Sequence, residues 1–274
     1  MAINYAEKYS SVVDEAFALL SMTDRAVNKD FDFTGVNTVH VYSLPTAAMN
    51  NYAATGANRY GVPAELQDTV QDMLLTRKRS FTFTIDKTNA MDTPEGVRDA
   101  GKALARQIRE VVIPEIDLYR IATMVTGAGT DATPAAITSS NAYDKFLDGQ
   151  NALLENKVPI PGRLSYVSPT FYKAIKMDAS FIKSSDLAQA TLINGQLGAV
   201  DGVPIIPVPA SYLPANVEFI ITHPVATTSP IKLADYKIHI DPPGIAGALV
   251  EGLVYYDAFV LDKKAKAIYA HSKA

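Results

Sequence analysis

The stretch RSFTFTIDKTNAMDTPEGVRDAGKALARQIREVVIPEIDLYRIATMVT, residues 79–126, changes its hydrophobic period halfway along. Phe81, Phe83 and Ile85 alternate with Ser80, Thr82, Thr84 and Asp86, the two-residue period of a strand with one apolar face. From Thr93 onward the period is helical. Thr93-Pro94 is a capping residue followed by a first-turn proline, and Val97, Leu104, Ile108, Val111 and Val112 form one stripe. Arg98, Lys102, Arg106 and Arg109 lie off the stripe. Pro114 lacks a donor and crowds the preceding turn, so a kink is predicted there. The pattern resumes through Ile116, Tyr119, Ala122 and Val125 and stops at Gly127-Ala128-Gly129. Such a helix is about 48 Å long at a 1.5 Å rise per residue, which makes it a spine for the molecule.

Upstream, Val36, Val39, Val41 and Leu44 mark a strand over 36–44, and a second strand is predicted to end the run 69–86. Between them Thr46 to Asp68 is polar and rich in turn residues, with Gly56, Gly61, Pro63 and Asn50-Asn51. Hairpin loops usually run about 2–5 residues, so a connection this long either projects from the body or has a function of its own. Tyr42, Tyr52 and Tyr60 bracket the tip, with Arg59 beside the last of them. A tyrosine ring buries area while its hydroxyl keeps a polar partner, so these residues are expected at an interface. Arg77-Lys78-Arg79, at the base, is expected to meet an acidic surface on a neighbouring molecule. The apolar face of Phe81, Phe83 and Ile85 is expected to lack a partner within a single chain.

Residues 5–28 read as a weakly amphipathic helix carrying Val12, Val13, Phe17, Leu20 and Val27. Two readings stay open for it: a first core helix, or an arm packing through Phe17 and Leu20 on a neighbour. Past the spine, 128–141 is loop-like, Tyr143–Asn156 helical, Arg163–Ser168 a strand and Phe171–Met177 a helix. Strands are predicted at Gly202–Pro209, Val217–Thr222, Ile231–Asp241, Ala248–Leu261 and Ala265–Ala270, the last behind a basic turn. The class is α+β.

Composition narrows the chemistry. The 274 residues include no cysteine, which removes disulfides, thiol nucleophiles and thiolate metal sites together. A formal charge of −4 argues against strong neutralisation of phosphates, and no stretch approaches the roughly 18 apolar residues of a membrane helix. His40, His223, His239 and His271 are far apart, and no serine stands in a nucleophile-elbow context. Glu110 with Glu115, and Asp144 with Asp148, are spaced like solvated helix faces. Lys263, Lys264 and Lys266 read as an exposed turn, with contact to a polyanion as a second reading. No catalytic, cofactor or metal residue is assigned, and an enzyme is not expected.

The order of these parts resembles the major capsid proteins of tailed bacteriophages, with the Hong-Kong-97-like fold. The resemblance is carried by INYAEKYSSVVDE (3–15), DFTGVNTVHVYS (32–43), RSFTFTIDKTNAMDT (79–93), VVIPEIDLYRIA (111–122), DGVPIIPVP (201–209) and YYDAFVLDKKAKAIY (255–269). It spans nearly the whole chain, and its specificity lies in the ordered set.

The resemblance implies an N-terminal arm over 1–35 and an extended loop, the long β-hairpin, over 36–92. It implies a peripheral domain of 93–126 with 223–274, carrying the spine helix, and an axial domain of 127–222. The implied partners are further copies in hexamers and pentamers, a separate scaffold protein, a portal, and packaged DNA held weakly and without sequence specificity. The implied place is the virion, assembled in the cytoplasm of a bacterial host, with no membrane involved. No scaffolding segment is expected ahead of the arm. Residues 36–76 contain no lysine, so covalent cross-linking through the loop is not expected. Pro114 is expected to let the spine bend during shell expansion. Rival readings are an encapsulin-type compartment, a soluble α+β enzyme, and a tail or other virion protein forming tubes or fibres.

Overall fold

The computed structural model describes residues 21–31, 33, 36–63, 65–88, 100–183 and 198–273. Phe17, Leu20, the Thr93-Pro94 cap and most of the predicted arm lie outside the described residues. In chain order the first strands are β1 (Thr38–Ser43), β2 (Thr69–Leu74) and β3 (Arg77–Asp86). The spine follows as α1 (Ala100–Gln107), a π-helical turn (Ile108–Val112) and α2 (Ile113–Thr126). After it come β4 (Thr130–Asp131), α3 (Ala142–Glu155), β5 (Leu164–Val167), α4 (Pro169–Met177) and α5 (Ala179–Lys183). The remaining strands are β6 (Ala199–Val200), β7 (Val203–Pro207), β8 (Val217–Thr222), β9 (Thr227–Thr228), β10 (Ile231–Ile240), β11 (Gly247–Tyr256), β12 (Phe259–Val260) and β13 (Ile268–Ser272).

Two sheets carry the body. A six-stranded sheet runs in the order β4-β13-β8-β5-β7-β6, with α3 and α4 against it. Its core is aromatic: Phe219 contacts Phe171 at 4.5 Å between ring centroids, Phe146 at 5.8 Å and Tyr269 at 6.0 Å. A Cβ at Gly149 of α3 would stand 2.8 Å from the Tyr269 ring, so the missing side chain is what lets the helix approach the sheet. The second sheet, in the order β10-β11-β3, lies against the spine through Leu104, Ile108, Ile113 and Ile116 on one side and Tyr236, Val250 and Val254 on the other.

The expected boundary between 127–222 and 223–274 needs correction. β13 pairs with β8 and β4 inside the six-stranded sheet, so the chain's last strand belongs with the segment 127–222. Every residue of β8 is buried, and a strand so placed needs a neighbour on both edges; β5 supplies one and β13 the other.

The run 69–86 also differs from the prediction. It breaks at Leu75-Thr76 into β2, which pairs with β1, and β3, which pairs with β11. The face of Phe81 and Phe83 is therefore covered within the chain, by the spine and Tyr236; Phe81 and Tyr236 stack at 6.0 Å. The expectation that this face lacks a partner in one chain is corrected. Gly252, opposite both rings in the ladder, makes the room, since a Cβ there would come within 2.3 Å of Phe81.

The spine departs from α geometry just ahead of Pro114. The Ile113 N–H reaches back to the Ile108 carbonyl, an i to i−5 bond that widens the turn where the proline ring would crowd the helix. The chemistry of Pro114 predicted a break here, and the structure has a widened turn just before it, with Pro114 as the second residue of α2.

His271 of β13 is fully buried and stacks on Phe219 at 4.9 Å with an interplanar angle of 8°. Its Nε2 donates to the Ala135 carbonyl at 3.1 Å, and Nδ1 has no partner among the described residues. Burial lowers its pKa, the hydrogen bond to Ala135 opposing in part; Lys145 lowers it further, while Glu218 and Asp148 raise it. The unfolded chain takes up this proton near pH 6.5 and the folded chain only below that. Stability supplied by neutral His271 is thus present above about pH 6.5 and lost as pH falls toward the folded-state value. In urea titrations between pH 7 and 5, His271→Gln is expected to give a flatter stability profile than the parent; parallel profiles would contradict this.

Candidate assembly surface

The hairpin β1–β2 has two unlike faces. Val39, Val41 and Met73, together with Leu75, pack on Phe31, Phe33, Tyr255, Phe259 and Leu261. Gln71 stitches this face down, donating to the Val260 carbonyl at 2.8 Å and accepting from the Asp262 N–H at 3.1 Å. The other face carries Thr38, His40 and Tyr42 opposite Leu74, Asp72 and Val70. Tyr42, Val70 and Leu74 are exposed there, around an exposed His40–Asp72 pair at 2.6 Å.

Beyond β1 and β2, the described residues of 44–68 form no helix or strand. Met49 is 99% exposed, Tyr60 84%, Val62 79% and Leu44 73%, a concentration of open apolar side chains that a solvated loop does not need. The tip still has local order. Tyr52 and Tyr60 meet edge to face at 5.1 Å, the Ala53 N–H donates to the Arg59 carbonyl at 3.0 Å, and the Arg59 Nε donates to the Gly56 carbonyl at 3.3 Å. Gly61, at φ +95°, closes the turn by donating its N–H to the Asn58 carbonyl at 2.8 Å. Tyr52, Arg59 and Tyr60 are thereby brought together on one exposed knob.

The basic cluster is placed differently from expectation. Arg79 Nε donates to Glu115 Oε1 at 2.6 Å, the Arg77 guanidinium lies 4.1 Å from the Tyr119 ring centroid, and Lys78 lies 5.0 Å from that of Tyr255. All three therefore have partners on this chain's own spine and sheet. The expectation that the cluster awaits an acidic neighbour is corrected: Glu115 on the spine and the rings of Tyr119 and Tyr255 meet the charges locally.

What holds the hairpin's root is a buried carboxylate that sequence reasoning did not single out. Asp257 accepts from the Thr76 N–H at 2.8 Å, the Thr76 hydroxyl at 2.9 Å, the Tyr119 hydroxyl at 2.7 Å and the Ala258 N–H at 2.9 Å. Burial, then the bond to Asp257, raises the Tyr119 pKa. The network continues, for the Asp257 carbonyl accepts from Ser229, whose hydroxyl accepts from Arg120 Nε at 2.9 Å. Arg120 is fully buried and also reaches Ser21 and Thr23, which donate to Asp117 on the same helix at 2.6 and 2.5 Å. Burial lowers the Arg120 pKa against the opposing pull of Asp117 and Asp24. One polar chain thus links the hairpin root, the spine and the start of the described chain. The signal for it was a lone charge in the apolar run LVYYDAFVL, and Asp117 with Arg120 three apart inside the spine's apolar pattern.

Among the described residues no group of three or more His, Asp or Glu side chains could hold a metal ion, and no helix is long and apolar enough to cross a membrane. Glu110 pairs with Arg106 and Asp148 with Lys145, while Asp262–Ala267 form a 3-10 turn with Lys263, Lys264 and Lys266 exposed.

Replacing Asp257 by Ala leaves four donors, on Thr76, Tyr119 and Ala258, without their acceptor and is expected to cost about 3 kcal/mol of unfolding free energy. Limited proteolysis should open the chain first near Thr76. A variant within about 0.5 kcal/mol of the parent in urea unfolding would show that the root is held by apolar packing alone.

No protein-family model and no curated protein sequence matches the chain. Solved structures do. One from Mycobacterium phage Che8 superposes with a TM-score of 0.74 at 21% identity, covering 93% of this chain and 90% of that one. The mature capsid of bacteriophage PhiM1 gives 0.75 at 10% identity, covering 93% and 87%. A virus-like particle from Pyrococcus furiosus gives 0.60 at 12% identity, covering 98% and 100%. The chain therefore shares its overall fold with these phage capsid structures.

Proposed function

We propose that this chain is the major capsid protein of a tailed phage, assembling into hexamers and pentamers of an icosahedral shell that encloses double-stranded DNA. The observation that carries the reading is the hairpin of residues 38–74, rooted on a buried carboxylate yet exposing Leu44, Met49, Tyr60 and Val62 to solvent. A fold shared with phage capsids across 93% of the chain supports it. Of the loop expected at 36–92, the β1–β2 hairpin with its tip lies over an adjacent subunit, while β3 belongs to the sheet under the spine. The spine with the β10-β11-β3 sheet is the peripheral domain, and the six-stranded sheet with α3 and α4 is the axial domain. The role is structural and not enzymatic. Its partners are further copies, a separate scaffold and a portal; a net charge of −4 favours weak, sequence-independent contact with DNA. Its place is the virion, after assembly in the host cytoplasm.

A second reading, an encapsulin-type compartment that packages a cargo protein, is favoured by the likeness to the Pyrococcus furiosus virus-like particle over 100% of that chain. Electron microscopy of the purified protein, alone and with its neighbouring genes, separates the two. Closed polyhedra that fill with DNA are the expected outcome; protein-filled particles favour the second reading, and a stable monomer under every assembly condition contradicts both.

Each contact of the tip contributes modestly, and a closed shell multiplies it. Arg59→Ala with Tyr60→Ala is expected to lower particle yield at least about tenfold, with subunit melting unchanged, because the tip is remote from the cores. Unchanged yield would remove these residues from the interface. Pro114, with the widened turn before it, is the bending point of the spine. In Pro114→Ala, heat- or acid-triggered particle expansion should change more than subunit folding does; unaltered expansion would exclude the hinge.

A further inference from the structure

The β10-β11-β3 sheet ends at β10, and among the described residues no strand pairs with its outer edge. β10 is ten residues long, contains no proline, and exposes 72% of Ile240 at its end. Such an edge presents a row of N–H and C=O groups to any passing strand, and soluble proteins ordinarily blunt it with charges, prolines or bulges. Here the charges have a pattern of their own. Asp235 and Lys237 flank Tyr236 on the sheet face away from the spine, and within one chain Lys237 Nζ lies 2.9 Å from Asp235 Oδ2.

We propose that β10 pairs antiparallel with β10 of a second copy, about a two-fold axis at Tyr236, joining two three-stranded sheets into one. Directly opposed residues share a face of the sheet. In this register Asp235 faces Lys237 of the second copy and Lys237 faces its Asp235, so both charges gain a partner across the axis. Ala234 faces Ile238, both of them partly buried against the spine cluster, and Leu233 faces His239. The adjacent registers that keep both spines on one side are worse. An axis at residue 235 sets Asp235 against itself, and an axis at 237 sets Lys237 against itself; like charges directly opposed destabilise a ladder. The same charges that repel a strand of unrelated sequence therefore select a copy of this strand in one register. The proposal gives the shell reading a specific contact between subunits, and it rests on that reading only for its setting.

The chain contains no cysteine, so a disulfide test is unambiguous. Asp235→Cys and Lys237→Cys are made separately, at solvent-accessible positions, and one carries a mass tag. In the mixed pair the two cysteines stand opposite each other, and the remaining Lys237 and Asp235 keep their cross-axis contact. In either like pair a cysteine faces a charge. After mixing under assembly conditions and mild oxidation, a non-reducing gel is expected to show the mixed dimer enriched about tenfold over both like dimers. Equal amounts of mixed and like dimers, or no dimer at all, overturn the pairing. Microscopy of the same samples keeps the two claims apart: particles without the mixed dimer refute the β10 register and leave the shell reading standing. A mixed dimer without particles supports the register and counts against the shell.

Discussion

The Asp257 carboxylate is the joint on which the architecture turns. It is 2% exposed and draws donors from Thr76 at the hairpin root, Tyr119 on the spine and its own neighbour Ala258. A buried carboxylate is tolerable only when its oxygens are met by donors, so these three segments have to arrive together. That requirement explains why the run 69–86 breaks at Thr76: the Thr76 N–H turns to Asp257 instead of continuing a ladder. β2 then leaves with the hairpin while β3 stays in the sheet under the spine.

With its root fixed, the hairpin's apolar residues divide between the body and solvent. Val39, Val41 and Met73 are spent on the body, whereas Leu44, Met49, Tyr60 and Val62 are left in water. A monomer gains nothing from that second set, whereas the proposed shell would gain an interface per subunit. The same economy holds at β10, whose outer edge is unpaired among the described residues and carries a self-complementary pair of charges. The cores around Phe219 and under the spine hold these surfaces in place.

Much of the fold was legible because it rests on local periodicity. β8 falls on the predicted Val217–Thr222, α3 lies within a residue of its predicted span, and the alternation of Phe81, Phe83 and Ile85 correctly marked a one-sided strand. What periodicity cannot report is which strand a strand pairs with. The partner of β3 is β11, far along the chain, and β13 crosses into the sheet of the segment before it. Both errors, an uncovered Phe81 face and a boundary at 222, follow from that one gap. The basic cluster misled for a kindred reason: Arg77, Lys78 and Arg79 are adjacent in sequence, but the pleat and the spine give each its own partner. At the candidate surface, the exposed tyrosines of the tip were readable from their polar setting, while Asp257, Asp117 and Arg120 were not, since a buried charge looks like a surface charge until its donors are known.

The central claim is that the hairpin's partners lie on other copies of the molecule, and amide hydrogen exchange in the free subunit and in assembled particles tests it most directly. Among the described residues of 44–68 the backbone N–H groups bonded to other backbone groups are those of Ala53 and Gly61, so most of this segment should exchange quickly when the subunit is alone. Slowing of exchange over 44–68 on assembly, with the Phe219 core unchanged, is the predicted result. Equal exchange in both states would contradict the account, because the hairpin would then meet only water.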